Sequence, residues 1–214
     1  MKVIIFGATG MVGQGALRES LLAADVERVL AVGRTPTGVR HEKLREVPLD
    51  DVGDLAPVAS ELAGYDACFY CLGVSSVGMD EAAYTRITFD LPMAAVRTLS
   101  TINPEMTFVY VSGAGTGAAS RQMWARVKAR TERAVLDTFP NGYAFRPGFI
   151  QPTSGVRSKT RWYRATYALT APLYPALERL APGFVTSSDR LGRAMLRAAR
   201  TGFGQHVVEN RDLR

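Results

Sequence analysis

The chain has 214 residues, of which 47% are hydrophobic and 21% charged, and these values fit one globular α/β domain with a sizeable core. It has two cysteines and no apolar run as long as a bilayer is thick, which excludes a disulfide framework and a membrane span. The N-terminal residues lead directly into an apolar strand pattern, so we expect no secretory leader and a cytoplasmic protein.

The formal net charge of +6 is concentrated in the C-terminal part of the chain. Residues 1–120 hold 9 basic and 14 acidic side chains, whereas residues 121–214 hold 17 and 6. This imbalance is typical either of an anionic partner, such as a cofactor phosphate, an acidic ligand or a membrane surface, or of a solvated basic face. Nucleic acid is not expected as a partner, because no nucleic-acid-binding module is visible.

Short apolar runs alternate with helical patterns along the chain. The predicted strands are residues 2–6, 26–32, 45–49, 66–72, 107–111, 143–145 and 206–209. The predicted helices are residues 10–22, 54–63, 80–101, 120–138 and 188–200. Asp80 and Ser120 are the expected N-caps of two of them, and Pro92 should kink the helix over 80–101.

This alternation predicts the fold class. Continuous apolar strands separated by helices form a mainly parallel sheet with helices on both faces, so we expect a doubly wound α/β Rossmann fold. We expect a single domain over residues 1–214, with an irregular substrate or lid portion at about 151–185, where several prolines interrupt regular structure.

A glycine-rich loop follows the first predicted strand and opens the first predicted helix. Its sequence is Gly7-Ala8-Thr9-Gly10-Met11-Val12-Gly13, a G-x-x-G-x-x-G pattern. In this context the first glycine allows a tight turn, the second lets a pyrophosphate approach the backbone and the third lets the helix pack closely on the strand. Because a helix N-terminus attracts phosphate, the loop predicts a dinucleotide site formed by Gly7, Thr9, Gly10, Met11, Val12 and Gly13.

The end of the second strand predicts which dinucleotide binds. The strand runs into Arg34, and residues 31–41 contain no acid that would accept a hydrogen bond from the ribose 2′-hydroxyl of NAD(H). We therefore expect NADP(H), with Arg34 on the 2′-phosphate and Arg40 assisting it, and NAD(H) as the less favoured cofactor. The alternative is that Arg34 is an ordinary exposed arginine. Asp50 is either an acceptor for the adenine amino group or a turn residue.

The later motifs complete a pattern that resembles the atypical and extended short-chain dehydrogenase/reductase superfamily. Within it, the chain looks closest to the small NmrA-like proteins and the Tat-interactive oxidoreductase group, which are related to NAD-dependent epimerases and dehydratases. The resemblance covers most of the chain and is carried, besides the glycine-rich loop, by Val32-Gly33-Arg34, Cys71-Leu72-Gly73-Val74-Ser75-Ser76, Val109-Tyr110-Val111-Ser112, Lys128 and Arg146-Pro147-Gly148-Phe149.

The resemblance implies a role for each of these positions. Ser112 would be the active-site serine and Lys128 would hydrogen-bond the nicotinamide ribose. The adenosine and pyrophosphate side would be lined by Cys71, Leu72 and Gly73. The nicotinamide side would be lined by Pro147, Gly148, Phe149 and Ile150.

One position departs from the family pattern. The family's proton donor is a tyrosine four residues before the lysine, and this chain has Trp124 there. An indole has an N–H donor but no proton that titrates at ordinary pH, so the usual serine–tyrosine–lysine mechanism is incomplete. Ser112 would still polarise a carbonyl. The proton would then come from another tyrosine, such as Tyr84 or Tyr163, or the protein would bind NADP(H) without turnover.

Two further sequence features, a cysteine pair and a basic, aromatic segment, do not indicate a separate site. Cys68 and Cys71 have C-x-x-C spacing, but on a strand such residues point to opposite faces, so we expect no redox or metal site. Residues 157–180 mix basic and aromatic side chains, and a lid or packing surface is favoured there over membrane contact.

The sequence thus predicts an NADP(H)-dependent oxidoreductase that transfers hydride to a small carbonyl or enone substrate. The alternatives are a non-catalytic NADP(H)-binding regulator or sensor and an epimerase-like enzyme. The oligomeric state is left open.

Overall fold

A computed structural model describes residues 1–152 and 183–213 of the chain. Its strands are β1 (Lys2–Phe6), β2 (Arg28–Gly33), β3 (Leu44–Pro48), β4 (Ala67–Tyr70), β5 (Thr107–Val111), β6 (Gly142–Arg146), β7 (Phe149–Gln151), β8 (Val185–Ser187) and β9 (Val207–Glu209). Its α-helices are α1 (Met11–Leu22), α2 (Glu81–Thr85), α3 (Leu91–Ile102), α4 (Met123–Thr138) and α5 (Ser188–Thr201). The 3-10 turns are Ala56–Leu62 and Asn210–Asp212, and a π-helical turn covers Arg86–Asp90.

The described strands form one large sheet and one small one. The large sheet has the order β3-β2-β1-β4-β5-β6-β9, and all of its neighbouring strands are parallel. This order is the doubly wound Rossmann arrangement, so the predicted fold class is confirmed. The small sheet pairs β7 with β8 in parallel, and the sequence patterns did not predict it.

Two apolar cores cover the two faces of the large sheet. Along β1, Val3 and Ile5 pack into the core beneath α1 and α5, whereas Ile4 and Phe6 pack into the core beneath α3 and the first 3-10 turn. This alternation is the period of two expected of a strand buried on both sides. Full burial of each such side chain contributes roughly 1.5–3 kcal/mol of hydrophobic stabilisation, which explains why the strands are continuously apolar.

Helices α1 and α5 cross with their backbones in contact. A Cβ on Gly15 would lie 2.3 Å from the carbonyl oxygen of Ser188, and one on Gly192 would lie 2.7 Å from the carbonyl oxygen of Gly15. An ion pair between Arg18 and Asp189 at 2.7 Å flanks the crossing. The last helix of the chain is therefore packed against the helix that follows the glycine-rich loop.

The helix predicted over residues 80–101 is interrupted. Asp80 is its N-cap as expected and accepts a hydrogen bond from the backbone of Ala83 at 2.8 Å. Pro92 has no N–H for the carbonyl of Thr88, so the helix widens into the π-helical turn and resumes as α3. The Thr88 carbonyl instead accepts a hydrogen bond from the Thr131 hydroxyl at 2.7 Å.

Other helix boundaries also differ from the predictions. The segment predicted as a helix over 54–63 is the 3-10 turn, and α4 begins at Met123 rather than near Ser120. Ser120 is not the N-cap, because its hydroxyl accepts from the backbone of Gln122 at 3.1 Å in the preceding turn. Most of the portion expected to be irregular, 151–185, lies outside the described residues.

Candidate functional site

The loops that carry the predicted site residues lie at the carboxyl edge of the large sheet. The connections from β1 and β4 leave this edge on opposite sides, which creates the crevice where open α/β sheets bind ligands. The two loops touch there. The backbone N–H of Cys71 donates to the carbonyl of Phe6 at 3.0 Å, and a Cβ on Gly7 would lie 2.8 Å from Leu72. Gly73 follows in the same exposed loop.

Each glycine of the glycine-rich loop meets a different constraint. Gly7 has a φ of 76°, a conformation that side chains disfavour. A Cβ on Gly13 would lie 2.1 Å from the carbonyl oxygen of Gly7, so the helix packs directly on the loop. Gly10 has extended backbone, and within residues 1–152 and 183–213 a Cβ there would meet only the Gly7 carbonyl oxygen, at 3.3 Å. Among the described residues, Gly10 is thus the least crowded of the three glycines.

The N-terminus of α1 is suited to an anion. Gly10 occupies the N-cap, no side chain from the described part of the chain caps the helix, and its first turn contains no acidic residue. The first turn, with Met11, Val12 and Gly13, therefore presents N–H groups that have no acceptor within the helix. The carbonyl of Thr9 accepts a hydrogen bond from the Gln14 side chain at 3.0 Å, which fixes the loop. The glycine cradle and the open helix end together fit a dinucleotide pyrophosphate.

Arg34 directly follows β2 and is exposed, and it makes no ion pair with any part of the chain that the structure describes. The nearby acid Glu46 is already bonded, because it accepts hydrogen bonds from the backbone and the hydroxyl of Thr37. Asp50 follows β3 and is also exposed, next to the point where the N–H of Leu49 donates to the Gly33 carbonyl at 3.2 Å. The side chains of Arg34, Arg40 and Asp50 are thus all exposed at this end of the sheet, and Arg34 forms no ion pair with an acid among the described residues.

Ser112 and Lys128 lie together beyond the end of β5. The Lys128 ammonium donates to the carbonyls of Ser112 at 3.0 Å and Val111 at 3.4 Å. The Ser112 hydroxyl is buried and lies 3.0 Å from the Thr116 hydroxyl. Desolvation lowers the pKa of Lys128 to about 8, although the carboxylate of Glu132 opposes this change.

Trp124 lies in the same site, on α4 one turn before Lys128. Its indole faces the turn that follows Ser112, since Cβ atoms on Gly113 and Gly115 would lie 3.9 and 3.7 Å from it. Tyr84, one candidate for the missing phenol, is 1% exposed, and burial raises its pKa, so its role as a proton donor stays a prediction. Tyr163, the other candidate donor, lies outside the described residues, as does the whole of the basic and aromatic segment 157–180.

The segment after β6 forms the other wall of the site. The carbonyl of Pro147 accepts from the backbone of Ala114 at 2.9 Å, and the N–H of Gly148 donates to the side chain of Asn210 at 2.9 Å. Phe149 and Ile150 belong to β7, which pairs with β8. The structure thus brings Pro147–Ile150 beside the loop that carries Ser112, whereas the roles of these residues in binding remain predictions.

Three residues of the site were not predicted: Thr116, Glu132 and Asn210. Glu132 follows Lys128 by four residues, and in a helix this spacing places the two on one face. The position of Glu132 beside Lys128 could therefore have been predicted from the sequence. The two cysteines point to opposite sides of the sheet as predicted, with Cys68 in the core under α3 and Cys71 against the core under α5. Burial raises the pKa of both thiols, which makes them poor nucleophiles.

The fold and this site define an NAD(P)-binding Rossmann protein of the extended short-chain dehydrogenase/reductase type. Residues 3–134 match the NAD dependent epimerase/dehydratase family, and the chain belongs to that family. The chain is 26% identical over 139 residues to the leucinostatins biosynthesis cluster protein T of Purpureocillium lilacinum. That match covers 64% of this chain and spans about half, 51%, of the length of the fungal protein.

Solved structures share the fold at low sequence identity. WbmF of Bordetella bronchiseptica, in complex with NAD+, matches with a TM-score of 0.71 and 17% identity over 99% of this chain and 76% of its own. WbmH of the same organism, also with NAD+, has a TM-score of 0.66 and 20% identity over 97% and 73%. A short-chain dehydrogenase family protein of Francisella tularensis has a TM-score of 0.68 and 13% identity over 97% and 95%. No helix among the described residues is long and apolar enough to cross a membrane.

Proposed function

We propose that the protein is an NADP(H)-dependent oxidoreductase that reduces a small conjugated carbonyl compound. The observation that carries this proposal is the placement of Ser112 and Lys128 at the carboxyl edge, beside the open glycine cradle. When bound, the nicotinamide would supply the hydride. The NAD+ held by WbmF and WbmH supports a nicotinamide dinucleotide at this edge, and the free donors of Arg34 favour the phosphorylated form.

The side chains around Ser112 favour one class of substrate. Hydride transfer to a carbonyl places negative charge on its oxygen, and a neutral hydroxyl donor stabilises that charge less well than a group that gives up its proton. The Ser112 hydroxyl, aligned by Thr116, would donate to the oxygen, and the indole of Trp124 adds no titrating proton. An enone suits such a site, because its reduction spreads the charge over an enolate instead of leaving it on an alkoxide.

The test is oxidation of NADPH in the presence of matched substrates. We expect turnover of an α,β-unsaturated ketone and little or none of the saturated ketone with the same skeleton. Ser112→Ala should reduce the enone rate by about 10²–10³-fold, the usual effect of removing an oxyanion donor, without a similar loss of NADPH affinity. Trp124→Tyr should keep NADPH affinity and raise reduction of the saturated ketone.

A saturated ketone reduced as fast as the enone would contradict the proposed substrate class. Equal enone rates for the wild type and Ser112→Ala would contradict the role of the serine.

The second candidate is an NADP(H)-binding regulator without turnover, and Trp124 favours it. A tryptophan at the position of the family's proton donor removes general acid catalysis, which is typically worth about 10²–10⁴-fold. Tight NADPH binding with no reduction of either ketone, by the wild type or by Trp124→Tyr, would favour this candidate over the enzyme.

A further inference from the structure

A partly buried ion pair involves Glu132, which lies on the same helix as Lys128. Glu132 is one helical turn further along α4 and is 4% exposed. Both of its carboxylate oxygens accept from Arg146, with Nε to Oε1 at 2.9 Å and Nη2 to Oε2 at 2.6 Å. The remaining guanidinium nitrogen donates to Glu209 at 3.0 Å, and Glu209 is the partner of Arg146 in the register of β6 and β9. A two-point contact of this kind fixes orientation as well as distance.

This ion pair completes a ring of contacts around the candidate site. Lys128 on α4 donates to the Ser112 carbonyl at the end of β5. The N–H of Ser112 donates to the Phe145 carbonyl on β6 at 2.7 Å. Arg146 is the next residue on β6, immediately before the Pro147 segment, and it returns to α4 through Glu132. The helix and the two strand ends are therefore held in one geometry.

We propose that Glu132 is a positioning residue of the nucleotide site, acting through Arg146 to hold the Pro147 segment and placing a negative charge one helical turn from Lys128 on the same helix face. The proposal rests on the proposed cofactor site. Neither the sequence patterns nor the family match assigns Glu132 a role. Its place on the helix face of Lys128 and its contact with the residue before Pro147 link the two walls between which a nicotinamide ribose would lie.

The charges around Lys128 determine in which direction its pKa should change when the Glu132 charge is removed. From β5 it meets the carbonyls of Val111 and Ser112 and, at 5.7 Å, the ring of Tyr110. Glu132 is the acid on its own helix, and Arg146 from β6 is balanced in part by Glu209 from β9. Desolvation favours the neutral amine and Glu132 favours the charged one, so removing the Glu132 charge must lower the pKa of Lys128 further.

The lysine can be observed directly, because the chain has only four lysines, Lys2, Lys43, Lys128 and Lys159. The experiment is an NMR pH titration of the full chain labelled with ¹³C at lysine Cε, with the Lys128 signal assigned from Lys128→Arg. We expect Glu132→Gln to lower the Lys128 midpoint by about one unit, the size typical of a nearby opposite charge. Glu209→Gln, which removes the more exposed partner of the same arginine, is the matched control and should leave the midpoint within a few tenths of a unit.

NADPH binding is the second measurement. If the charged amine binds the nucleotide, affinity is fully present below the Lys128 pKa and falls as the pH rises through it. Glu132→Gln should move this fall to lower pH and weaken binding about fivefold at pH 8, because a pKa lower by one unit reduces the charged fraction of the amine there from about one half to about one tenth. An unchanged Lys128 midpoint in Glu132→Gln, or an equal shift in Glu209→Gln, would overturn the proposal.

The two measurements separate this proposal from the proposed function. A wild-type protein that binds no NADPH contradicts the cofactor site, whereas the lysine titration still tests the effect of Glu132 on the amine. If Glu132→Gln does not fold, Arg146→Lys serves instead, since it keeps the positive charge and loses the two-point contact. It should keep the Lys128 midpoint and weaken NADPH binding several-fold, and unchanged binding would overturn the positioning role.

Discussion

Arg34 is the side chain on which cofactor choice should depend. It is exposed at the end of β2, and the nearest acid on β3, Glu46, is engaged by Thr37. A guanidinium with free donors gains a charge-assisted contact from a 2′-phosphate and gains little from a 2′-hydroxyl. We expect calorimetry to show NADPH binding at least about tenfold more tightly than NADH, a difference of about 1.4 kcal/mol. Arg34→Ala should remove most of that difference.

The matched control is Arg28→Ala, which removes an exposed charge from the opposite end of the same strand. It should leave the ratio of the two affinities unchanged. Equal wild-type affinities for NADPH and NADH would show that Arg34 does not select the cofactor. A similar loss of preference in Arg28→Ala would mean that overall charge, rather than a contact at Arg34, sets the preference.

Ser112 and Lys128 were predicted as site residues from the resemblance to a known family rather than from spacing alone. Ser112 follows β5 and Lys128 lies on the next α-helix, and the structure places the lysine amine 3.0 Å from the serine carbonyl oxygen. Glu132 shares the helix face of Lys128, yet its pairing with Arg146 was not foreseen. That contact joins two elements, and it depends on how α4 crosses β6, which no periodic pattern specifies.

At the scale of elements, different glycines of the glycine-rich loop are needed for folding and for binding. Gly13 packs against the Gly7 carbonyl with no room for a side chain, whereas a Cβ on Gly10 lies 3.3 Å from that carbonyl oxygen and meets nothing else among the described residues. Gly10→Val should therefore fold with a smaller loss of stability than Gly13→Ala and lose dinucleotide binding, because its side chain takes the space that the pyrophosphate needs. Gly13→Ala should be destabilised by about 1–3 kcal/mol through overpacking, measured by denaturant unfolding.

Gly204→Ala is the control for these glycine changes, because an added Cβ there has no neighbour within 4 Å in the parts of the chain that the structure describes. It should change neither stability nor binding appreciably. Wild-type NADPH affinity in a folded Gly10→Val protein would refute the phosphate loop as the site.

The elements that were predicted well are the buried parallel strands, whose apolar runs are unambiguous. Those predicted poorly depend on backbone hydrogen bonds that side chains redirect. Pro92 removes the donor for the Thr88 carbonyl, and Thr131 from α4 replaces it, so the helix contains a π-helical turn where a single kink was expected. The pairing of β7 with β8 joins segments more than 30 residues apart, and three-residue strands are too short to show a period.

At the scale of the whole molecule, elements near the C-terminal end of the described chain pack against elements near its start. Helix α5 crosses α1 at Gly15 and Gly192, and β9 adds to the sheet beside β6. Arg200, near the end of α5, forms an ion pair with Asp25, which follows α1. The Arg200 Nε donates to an Asp25 carboxylate oxygen at 2.8 Å. Because these contacts join distant parts of the sequence around one sheet, we expect the domain to unfold in a single cooperative transition.

Bound nucleotide should therefore stabilise the entire domain. A ligand at 100 times its dissociation constant stabilises the folded state by about 2.7 kcal/mol, and for a chain of this size each kcal/mol raises the melting temperature by about 2–4 °C. We expect NADPH at that excess to raise the melting temperature of a single calorimetric transition of the wild type by about 5–10 °C. It should leave the melting temperature of Gly10→Val unchanged. Two transitions, of which only one responds to NADPH, would show that the chain is not the single cooperative domain that the packing of α5 on α1 implies.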